Sequence, residues 1–560
     1  MTYSFILANL LSTITIFSFG IIFSKIFVEK FEKPILEEIA FYGFIFLSFL
    51  GLILHFFFPL NHVIGNLITI FSLSYFLLFF FKSDQKKKLT KYILIVSSIS
   101  ILLLYASNIN RPDAGLYHLP YTKYLQENKI ILGLANIHHR FGHVSIVQYI
   151  SALYNNSFFP EEYITVPLSN IFGFFFTYLL KLIFKFKNFF NIKNFFLLIL
   201  SIFSFYSFSR YSNYGNDAVS HMFFFLIIIN LLFLENIKIK NLIKINLFSI
   251  FCFLNKTFMI IVLLIPLFLN IKFFLKEKKI DINPNVLFCI ILVISWLIKN
   301  ILISGCLLYP VSLSCIKSLS YVDISNTKQV EIEGSAWSKE IRNEQILKIP
   351  REVYIKNFNW VNGWFQFHFK KIIEKISPLI IILFLLVIIK IILARCKFKE
   401  LEYDKNILNI FIFCSIFFII WFLKFPLYRF GLSYISVLII SIVCILSSII
   451  KNQNNVNFFT KFSYFLIVLS VLGFVYKNGL RIVNSNDEVY TKYPWPKIYT
   501  LSENNKNLPN ENKKIYNSDG EFIYFYSQGE CLFNSSPCSN YKKNNLKIKY
   551  FLNYKIILPN

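Results

Sequence analysis

The sequence predicts an all-α integral membrane protein that crosses the bilayer many times. Of its 560 residues, 56% are hydrophobic and only 16% are charged, whereas soluble proteins carry about a quarter charged residues. Apolar runs of about 20 residues, the length that spans a bilayer as a helix, recur along the chain and predict about 13–14 transmembrane helices. The runs lie near residues 4–28, 38–58, 62–82, 91–107, 163–183, 192–209, 218–235, 243–254, 256–274, 286–304, 376–394, 406–424, 428–450 and 458–476.

Lys256 interrupts the apolar stretch between residues 243 and 274. A lysine inside the membrane is costly unless it meets a counter-charge, an anionic ligand or water. The pattern leaves two structures open, namely two short helices with Lys256 at their turn or one long bent helix. Two helices are required if successive links are to alternate between the two sides of the membrane.

The distribution of basic residues predicts the orientation of the chain. Its formal net charge is +27, and the lysines fall in short links that all lie on one side of the predicted helices. By the positive-inside rule this side is the cytoplasm, where the lysines contact membrane lipids. No basic soluble domain with interleaved aromatic residues is present in the sequence, so nucleic acid is not an expected partner.

This orientation divides the chain into two predicted domains. Residues 1–476 form a transmembrane domain whose outer face receives the loops 108–162 and 305–375. Residues 477–560 are polar and rich in Tyr and Asn, with strand-like runs such as EFIYFYS and KIKYFLNYKIIL. These residues predict a small extracytoplasmic C-terminal domain.

Four of the nine cysteines fall on the predicted outer face, in two close pairs. Pairing that is confined to the oxidising side of a membrane is the pattern that disulfides produce. Zinc binding is disfavoured because neither pair has the C-x-x-C spacing. The predicted disulfides join Cys306 to Cys315 and Cys531 to Cys538.

The stretch from Asn110 to Asn156 is the predicted active-site loop, because ionisable residues gathered beside transmembrane helices mark functional sites. Asp113 suits a general base for an acceptor hydroxyl or a ligand of a divalent cation. The alternative role for Asp113 is an N-cap of the segment that begins at Ala114. The candidate substrate-binding residues of this loop are Arg111, Tyr117, His118, His139, Arg140 and His143.

His139 and His143 are also candidate metal ligands together with Asp113, for a divalent ion such as Mg²⁺ or Mn²⁺. If their segment is an α-helix, the two histidines lie one turn apart on one face, a spacing that can chelate a metal. The alternative is that they only form hydrogen bonds at the interface. Arg140, which lies between them, has the planar fork that suits a phosphate group.

Three residues at predicted outer helix ends extend the candidate site. Asp217 follows the turn RYSNYGND and is a second catalytic candidate, with an acid favoured by the helix dipole as the alternative. Lys256 and Arg429, the latter in the turn KFPLYRF, are candidate ligands of a lipid phosphate. The alternative for Lys256 is that its side chain snorkels to the interface.

These features resemble the GT-C glycosyltransferases, the class that includes lipid A aminoarabinose transferases and protein O-mannosyltransferases. Members have an acid just past a transmembrane helix in the first outer loop, a second acid at a later outer helix end, and basic residues near the outer leaflet. Within this class, the chain is similar to a group of bacterial multi-pass membrane proteins. The similar parts are the stretch PDAGLYHLPYTKYLQENKIILGLANIHHRFGHVS, the NYGND turn, the SGCLLYP segment, and Pro426 with Arg429 and Phe430.

The resemblance implies a GT-C-like fold in the bacterial cytoplasmic membrane, with its active-site loops on the periplasmic or extracytoplasmic side. It also implies a sugar donor carried on a polyprenyl phosphate. Asp113 would be the catalytic acid of the first loop, as base or metal ligand, and Asp217 the acid of the second. Arg140 or Arg429 would hold the donor phosphate. The chain departs from the class in having four helices before the first loop instead of one, and no second acid beside Asp113.

The function expected from the sequence is transfer of a sugar from a polyprenyl-phosphate carrier to a cell-envelope glycan or lipid acceptor. Two alternatives stay open. One is a polysaccharide polymerase or ligase of the O-antigen type, which takes a lipid-diphosphate-linked oligosaccharide. The other is a flippase or transporter of lipid-linked glycans, which would place charged residues at mid-membrane on broken helices. The position of Lys256 distinguishes the transporter from the enzymes.

Overall fold

Most of the chain is helical, and each predicted apolar run coincides with a helix. The computed structural model describes residues 2–29, 34–107, 113–143, 145–211, 216–278, 283–339, 349–394, 400, 404–450, 456–485, 513–533, 535–543 and 546–559. The long helices are Thr2–Phe23, Leu36–Phe57, His62–Lys82, Lys86–Leu104, Val166–Lys185, Ile192–Ser207, Asp217–Leu232, Ile239–Asn255, Leu264–Glu277, Pro284–Ser304, Lys370–Leu393, Lys405–Lys424, Tyr428–Ser447 and Val456–Val483.

Within the described residues, ten helices are long and apolar enough to cross a membrane. The chain is therefore a multi-pass helical protein, as its hydropathy predicts. Two further apolar helices, Ile192–Ser207 and Asp217–Leu232, have 16 residues each. A helix of that length measures about 24 Å, less than the roughly 30 Å of the hydrocarbon core. These short helices account for part of the difference between the ten candidate spans and the larger predicted number.

Side-chain caps and a glycine set the ends of several helices. The carboxamide of Asn61 accepts hydrogen bonds from the backbone N–H groups of Val63 and Ile64, at 3.1 and 3.3 Å. Such a cap satisfies donors that the first turn of a helix leaves without a partner. At the other end of a helix, Gly305 has a φ of 73° and ends the Pro284–Ser304 helix, because glycine adopts the left-handed conformation without a steric penalty.

A polar cluster joins the Thr2–Phe23 helix to the Lys86–Leu104 and Val166–Lys185 helices, which flank the first long loop (residues 113–162). The Asn170 amide donates to the hydroxyl oxygens of Thr13 and Ser100, both at 3.0 Å. The Ser100 hydroxyl also donates to Asn9 Oδ1, at 2.6 Å. Between apolar helices in lipid, such hydrogen bonds fix which faces pack together. The cluster therefore sets the positions at which the chain enters and leaves the first long loop.

The apolar stretch between 243 and 274 forms two helical segments. The Ile239–Asn255 helix ends at Lys256, which is extended, with φ −142° and ψ 119°. A 3₁₀ turn, Thr257–Leu263, then leads into the Leu264–Glu277 helix, and both pack against Ile239–Asn255. Of the two structures that the sequence left open, the structure has the pair of helices with Lys256 at their turn.

The C-terminal part of the chain contains five short strands: β1 Lys513–Tyr516, β2 Phe522–Tyr526, β3 Cys538–Ser539, β4 Lys547–Phe551 and β5 Tyr554–Leu558. β2 pairs with β1 in antiparallel and with β3 in parallel orientation, while β4 and β5 form an antiparallel hairpin. The preceding helix continues to Val483, beyond the predicted domain boundary at residue 476.

Strand β5 docks on the first long loop through the backbone. The N–H of Leu132 donates to the carbonyl of Lys555, and the N–H of Ile557 donates back to the carbonyl of Leu132, both at 2.9 Å. The buried Asn136 amide donates to the carbonyls of Ile557 and Tyr321, also at 2.9 Å. The C-terminal strands and the second long loop, which follows the Pro284–Ser304 helix and lies within residues 305–375, are thus fastened to one point of the first long loop.

We predict that Asn136→Ala lowers the free energy of unfolding by about 1–3 kcal/mol, because it leaves two buried carbonyls without their donor. Thermal unfolding of the purified protein in detergent measures the effect. Asn66→Ala is the control, since Asn66 is half-buried and its two described side-chain hydrogen bonds, both to Ser157, lie at the surface. Equal unfolding midpoints for the Asn136 variant and the parent protein would contradict the docking role.

Candidate functional site

A cavity that contains several predicted site residues lies where the two long loops meet the ends of four helices. Its volume is about 610 Å³. Helix ends contribute Asn255 and Lys256 from one side and Lys424 and Arg429 from another. The predicted site residues that line this cavity are Tyr117, His118, Arg140, His143, Lys256 and Arg429. The structure therefore brings six predicted residues together from distant parts of the chain.

Asp217 is not among the residues that line the cavity, but it pairs with two basic residues that do, Lys256 and Arg429. One carboxylate oxygen is 2.7 Å from Lys256 Nζ, and the other is 4.0 Å from Arg429 Nε. Asp217 is the first residue of its helix, a position where the helix dipole also favours an acid. The carboxylate is thus committed to holding Lys256 and Arg429 at the cavity, and the first-turn alternative for Asp217 holds at the same time.

Arg429 is fixed on several sides. Its guanidinium carbon lies 5.0 Å from the ring centres of Trp337 and Phe430, in the geometry of a cation–π contact. The His221 ring contacts the Arg429 carbonyl through Nε2 at 2.7 Å and the Ser433 hydroxyl through Nδ1 at 2.9 Å. These contacts hold the basic group at the cavity before any ligand arrives.

His118 lines the cavity as a neutral imidazole. Burial, followed by the nearby charge of Lys256, lowers its pKa to about 3. Gln148 Oε1 accepts a hydrogen bond from Ser145 N–H, which directs Gln148 Nε2 to donate to His118 Nδ1; both distances are 3.3 Å. Because Nδ1 accepts this bond, the proton of the neutral ring lies on Nε2.

Asp113 is exposed and lies immediately before the π-helical turn Ala114–His118. Its side chain makes no capping hydrogen bond to that turn, so the capping alternative does not describe it. Burial and the neighbouring charge of Asp113 raise the pKa of Tyr117 above its usual value. Tyr117 also lies 5.4 Å below the guanidinium of Arg140. Asp113 therefore borders the cavity through Tyr117 without lining it.

His139 and His143 do not share a face, contrary to the expectation from an α-helix. Residues 139–143 form a 3₁₀-helix, in which three residues complete a turn, so positions four apart diverge. His139 lies 5.3 Å from the Tyr541 ring outside the cavity, whereas His143 lies 5.3 Å from Tyr309. Among the residues that the structure describes, no group of three or more His, Cys, Asp or Glu side chains could hold a metal ion. The predicted ligand set thus does not come together there, and Arg111 lies outside the described residues.

Both cysteine pairs are joined as disulfides, with S–S distances of 2.06 Å for Cys306–Cys315 and 2.07 Å for Cys531–Cys538. The first closes a loop that carries Val311 to the cavity. The second closes a loop whose Leu532 N–H donates to the Gly115 carbonyl at 2.8 Å. Each disulfide therefore shapes a segment that contacts the first long loop.

The sequence interpretation missed several residues of the cavity. Gln148 and Asn255 orient its polar groups, and Trp337 and Glu331 come from the second long loop. Uncharged amides and a single tryptophan carry no motif. Two of the cavity residues could have been found from their positions in the sequence. Asn255 precedes Lys256 at the same helix end, and Lys424 is the last residue of a predicted helix close to Arg429.

We predict that Asp217 and Lys256 are coupled by about 1–3 kcal/mol in a double-mutant cycle. Asp217→Asn, Lys256→Met and the double variant are compared by thermal unfolding. Each single variant leaves a largely enclosed charge without its main partner. Glu161→Gln is the control, since it breaks the Lys123–Glu161 pair, whose glutamate side chain is 54% exposed, and such a pair is expected to matter little. Additive effects of the two site variants would contradict the coupling.

We predict that acid weakens the fold through His118. Its folded pKa of about 3 lies below the unfolded value of 6.5, so the unfolded chain binds a proton that the folded chain excludes. Stability therefore falls as the pH drops below about 6.5, by up to about 1.4 kcal/mol per pH unit for one such residue. His118→Gln should make the unfolding midpoint fall less as the pH is lowered, whereas replacement of the exposed His62 should not change this dependence. If the unfolding midpoint of His118→Gln falls with pH as steeply as that of the parent protein, His118 is not the cause of the acid sensitivity.

The comparison with protein families identifies the chain. Residues 1–436 match the model of the family described as Domain of unknown function (DUF8201). Since the match covers more than half of the chain, the protein belongs to this family. No curated protein and no solved structure matches it.

Proposed function

We propose that this member of the DUF8201 family is an integral membrane glycosyltransferase with a GT-C-like arrangement of about 13–14 transmembrane helices. It moves a sugar from a polyprenyl-phosphate carrier to a cell-envelope glycan or lipid acceptor at the outer face of the bacterial cytoplasmic membrane. The observation that carries the proposal is one cavity, at the ends of candidate membrane spans, that gathers four basic side chains with aromatic ones.

The basic side chains suit the phosphate of a lipid-linked donor. Arg140 and Lys424 line the cavity and have no carboxylate partner among the described residues. Lys256 and Arg429 share the single carboxylate of Asp217, so positive charge remains available to an anion. When the sugar leaves its carrier, negative charge develops on the phosphate, and cations held in place beforehand stabilise it.

The aromatic residues suit the rest of such a donor. Phe258 and Phe430 lie with their ring centres 4.5 Å apart, where two candidate membrane helices begin. Trp337 lines the same cavity with 44% of its surface exposed. A flat exposed ring packs against the apolar face of a sugar, and its polar N–H tolerates water.

The proposed reaction is a direct displacement. An acceptor hydroxyl oxygen forms a bond to the anomeric carbon, while the bond from that carbon to the phosphate oxygen breaks and its electron pair leaves with the phosphate. Asp113 takes the proton of the hydroxyl. Arg140, Lys256 and Arg429 bind the departing phosphate, and Asp217 acts as a positioning residue for the last two. Since the predicted metal ligands do not come together in the described residues, no step is assigned to a metal.

The position of Lys256 favours the enzyme over the transporter. Lys256 lies at the end of its helix with a quarter of its side chain exposed and a carboxylate beside it. A transport site would place such a charge at mid-membrane on a broken helix. A lipid-diphosphate-dependent polymerase or ligase would use a similar basic cavity, and the experiment below separates it by the donor that it consumes.

We predict that Asp113→Asn reduces sugar transfer by about 10²–10⁴-fold, the usual contribution of a general base. Purified protein in proteoliposomes is supplied with polyprenyl-phosphate sugars or with polyprenyl-diphosphate oligosaccharides, and released carrier and glycosylated acceptor are measured. In the native host, the same variant should change the envelope glycan profile.

Asp519→Asn is the matched control, because Asp519 is exposed in the turn between β1 and β2 and is not among the residues that line the cavity. It should leave transfer unchanged. Consumption of the diphosphate donor alone would identify the polymerase or ligase. An unchanged glycan profile in an Asp113→Asn strain with normal expression would overturn the proposed role of this loop.

A further inference from the structure

The hairpin of β4 and β5 ends in an apolar tip. Tyr550, Phe551 and Leu552 are 61%, 63% and 76% exposed. Residues at exposed turns are usually small or polar, and the β1–β2 turn of the same domain follows this rule with Asn517, Ser518, Asp519 and Gly520. The β4–β5 tip therefore exposes three consecutive large hydrophobic side chains where none is needed to form the turn.

The tip is also strained. Leu552 and Asn553 have φ values of 46° and 63°, and they are the two central residues of the turn that joins β4 to β5. Such turns favour Asn and Gly because the left-handed conformation brings a side chain close to the backbone. A leucine is unfavourable there, and its exposed side chain gains no compensating burial within the chain. Backbone strain of this kind clusters at functional sites, which makes the tip a candidate for a contact outside the folded domain.

The hairpin stands at the end of a candidate membrane span. The Tyr554 hydroxyl donates to the Phe56 carbonyl at 2.9 Å, in the last turn of the Leu36–Phe57 helix, which is one of the ten candidate spans. Phe57 and Phe58, which follow, are 60% and 55% exposed. The end of such a helix marks the surface of the bilayer, so β5 begins at that surface.

Basic residues accompany the apolar tip. Lys547 and Lys549 on β4 are exposed and alternate with the more buried Ile548, and Lys129 lies 4.5 Å from the Tyr554 ring. Exposed apolar side chains beside lysines are the combination that binds the interface of a bilayer containing anionic lipids.

We propose that the β4–β5 hairpin inserts its tip, Tyr550 to Leu552, into the lipid headgroup region on the cavity side of the membrane, with Lys547 and Lys549 on anionic headgroups. Through β5, which bonds to Leu132, the bilayer then holds the first long loop in place. This inference is independent of the proposed glycosyltransferase activity, since it concerns only where the C-terminal strands rest.

The test places an environment-sensitive fluorophore on Phe551→Cys in the full-length protein in nanodiscs that contain phosphatidylglycerol. The described cysteines outside the two disulfides are buried, and the parent protein measures any background labelling. Lipids with a nitroxide near the headgroup should quench the Phe551 label at least about twofold more than the same label on Asp519→Cys, at the polar turn. Equal quenching at the two turns, or none at either, would overturn the proposal.

A second pair of variants separates lipid contact from folding. Leu552→Gly removes the strain, so the unfolding midpoint should rise while quenching of the Phe551 label falls. Lys547→Gln with Lys549→Gln should reduce quenching in phosphatidylglycerol nanodiscs and leave it unchanged in purely zwitterionic ones. Quenching that is insensitive to both changes would show that the tip does not bind lipid in the proposed way.

Discussion

The ion pair between Asp217 and Lys256 is the interaction on which the cavity depends. It joins the first residue of one helix to the residue at which another helix ends, and Arg429 adds the start of a third. Between helices in lipid the burial of apolar surface gives little driving force, so polar contacts act together with close side-chain packing to select which helix faces meet. The neighbouring Asn255 amide strengthens the same junction, since it donates to the Asn216 carbonyl at 2.9 Å and to the Ser220 hydroxyl at 2.6 Å.

The loop that faces this junction is held from two directions. The C-terminal strands bond to it at Leu132, and the second long loop packs against it at Gly142, where an added Cβ would come within 2.4 Å of the Tyr309 ring. This loop forms only short helical segments of its own, and Tyr117 and Arg140 lie in two of them, Ala114–His118 and His139–His143. Segments that are distant in the sequence hold these loop residues in place. The C-terminal strands therefore help to shape the cavity, although they contact the loop at Leu132.

Much of the fold could be predicted from the sequence, whereas much less of the candidate site could. The two cysteine pairs were predicted correctly, because close cysteine spacing is a local signal. The charge of Lys256 marked residues 243–274 as interrupted, but the sequence left open whether they form one bent helix or two helices. The alignment of His139 with His143 required an α-helix, and residues 139–143 form a 3₁₀-helix instead. Their rings contact Tyr541 and Tyr309, which are distant in the sequence. Nothing in the sequence near Gln148 announces that its amide sets the tautomer of His118.

Hydrophobic length and the spacing of basic links by themselves determined that this is a multi-pass helical protein with its polar residues concentrated at helix ends. Both properties depend on local sequence, because a helix in lipid makes its backbone hydrogen bonds within a single continuous segment. Only the tertiary structure decided that Arg140, Lys256 and Arg429 share one cavity while His139 turns away to Tyr541. Which helix ends meet is set by side-chain contacts between segments hundreds of residues apart, and no local pattern encodes such contacts.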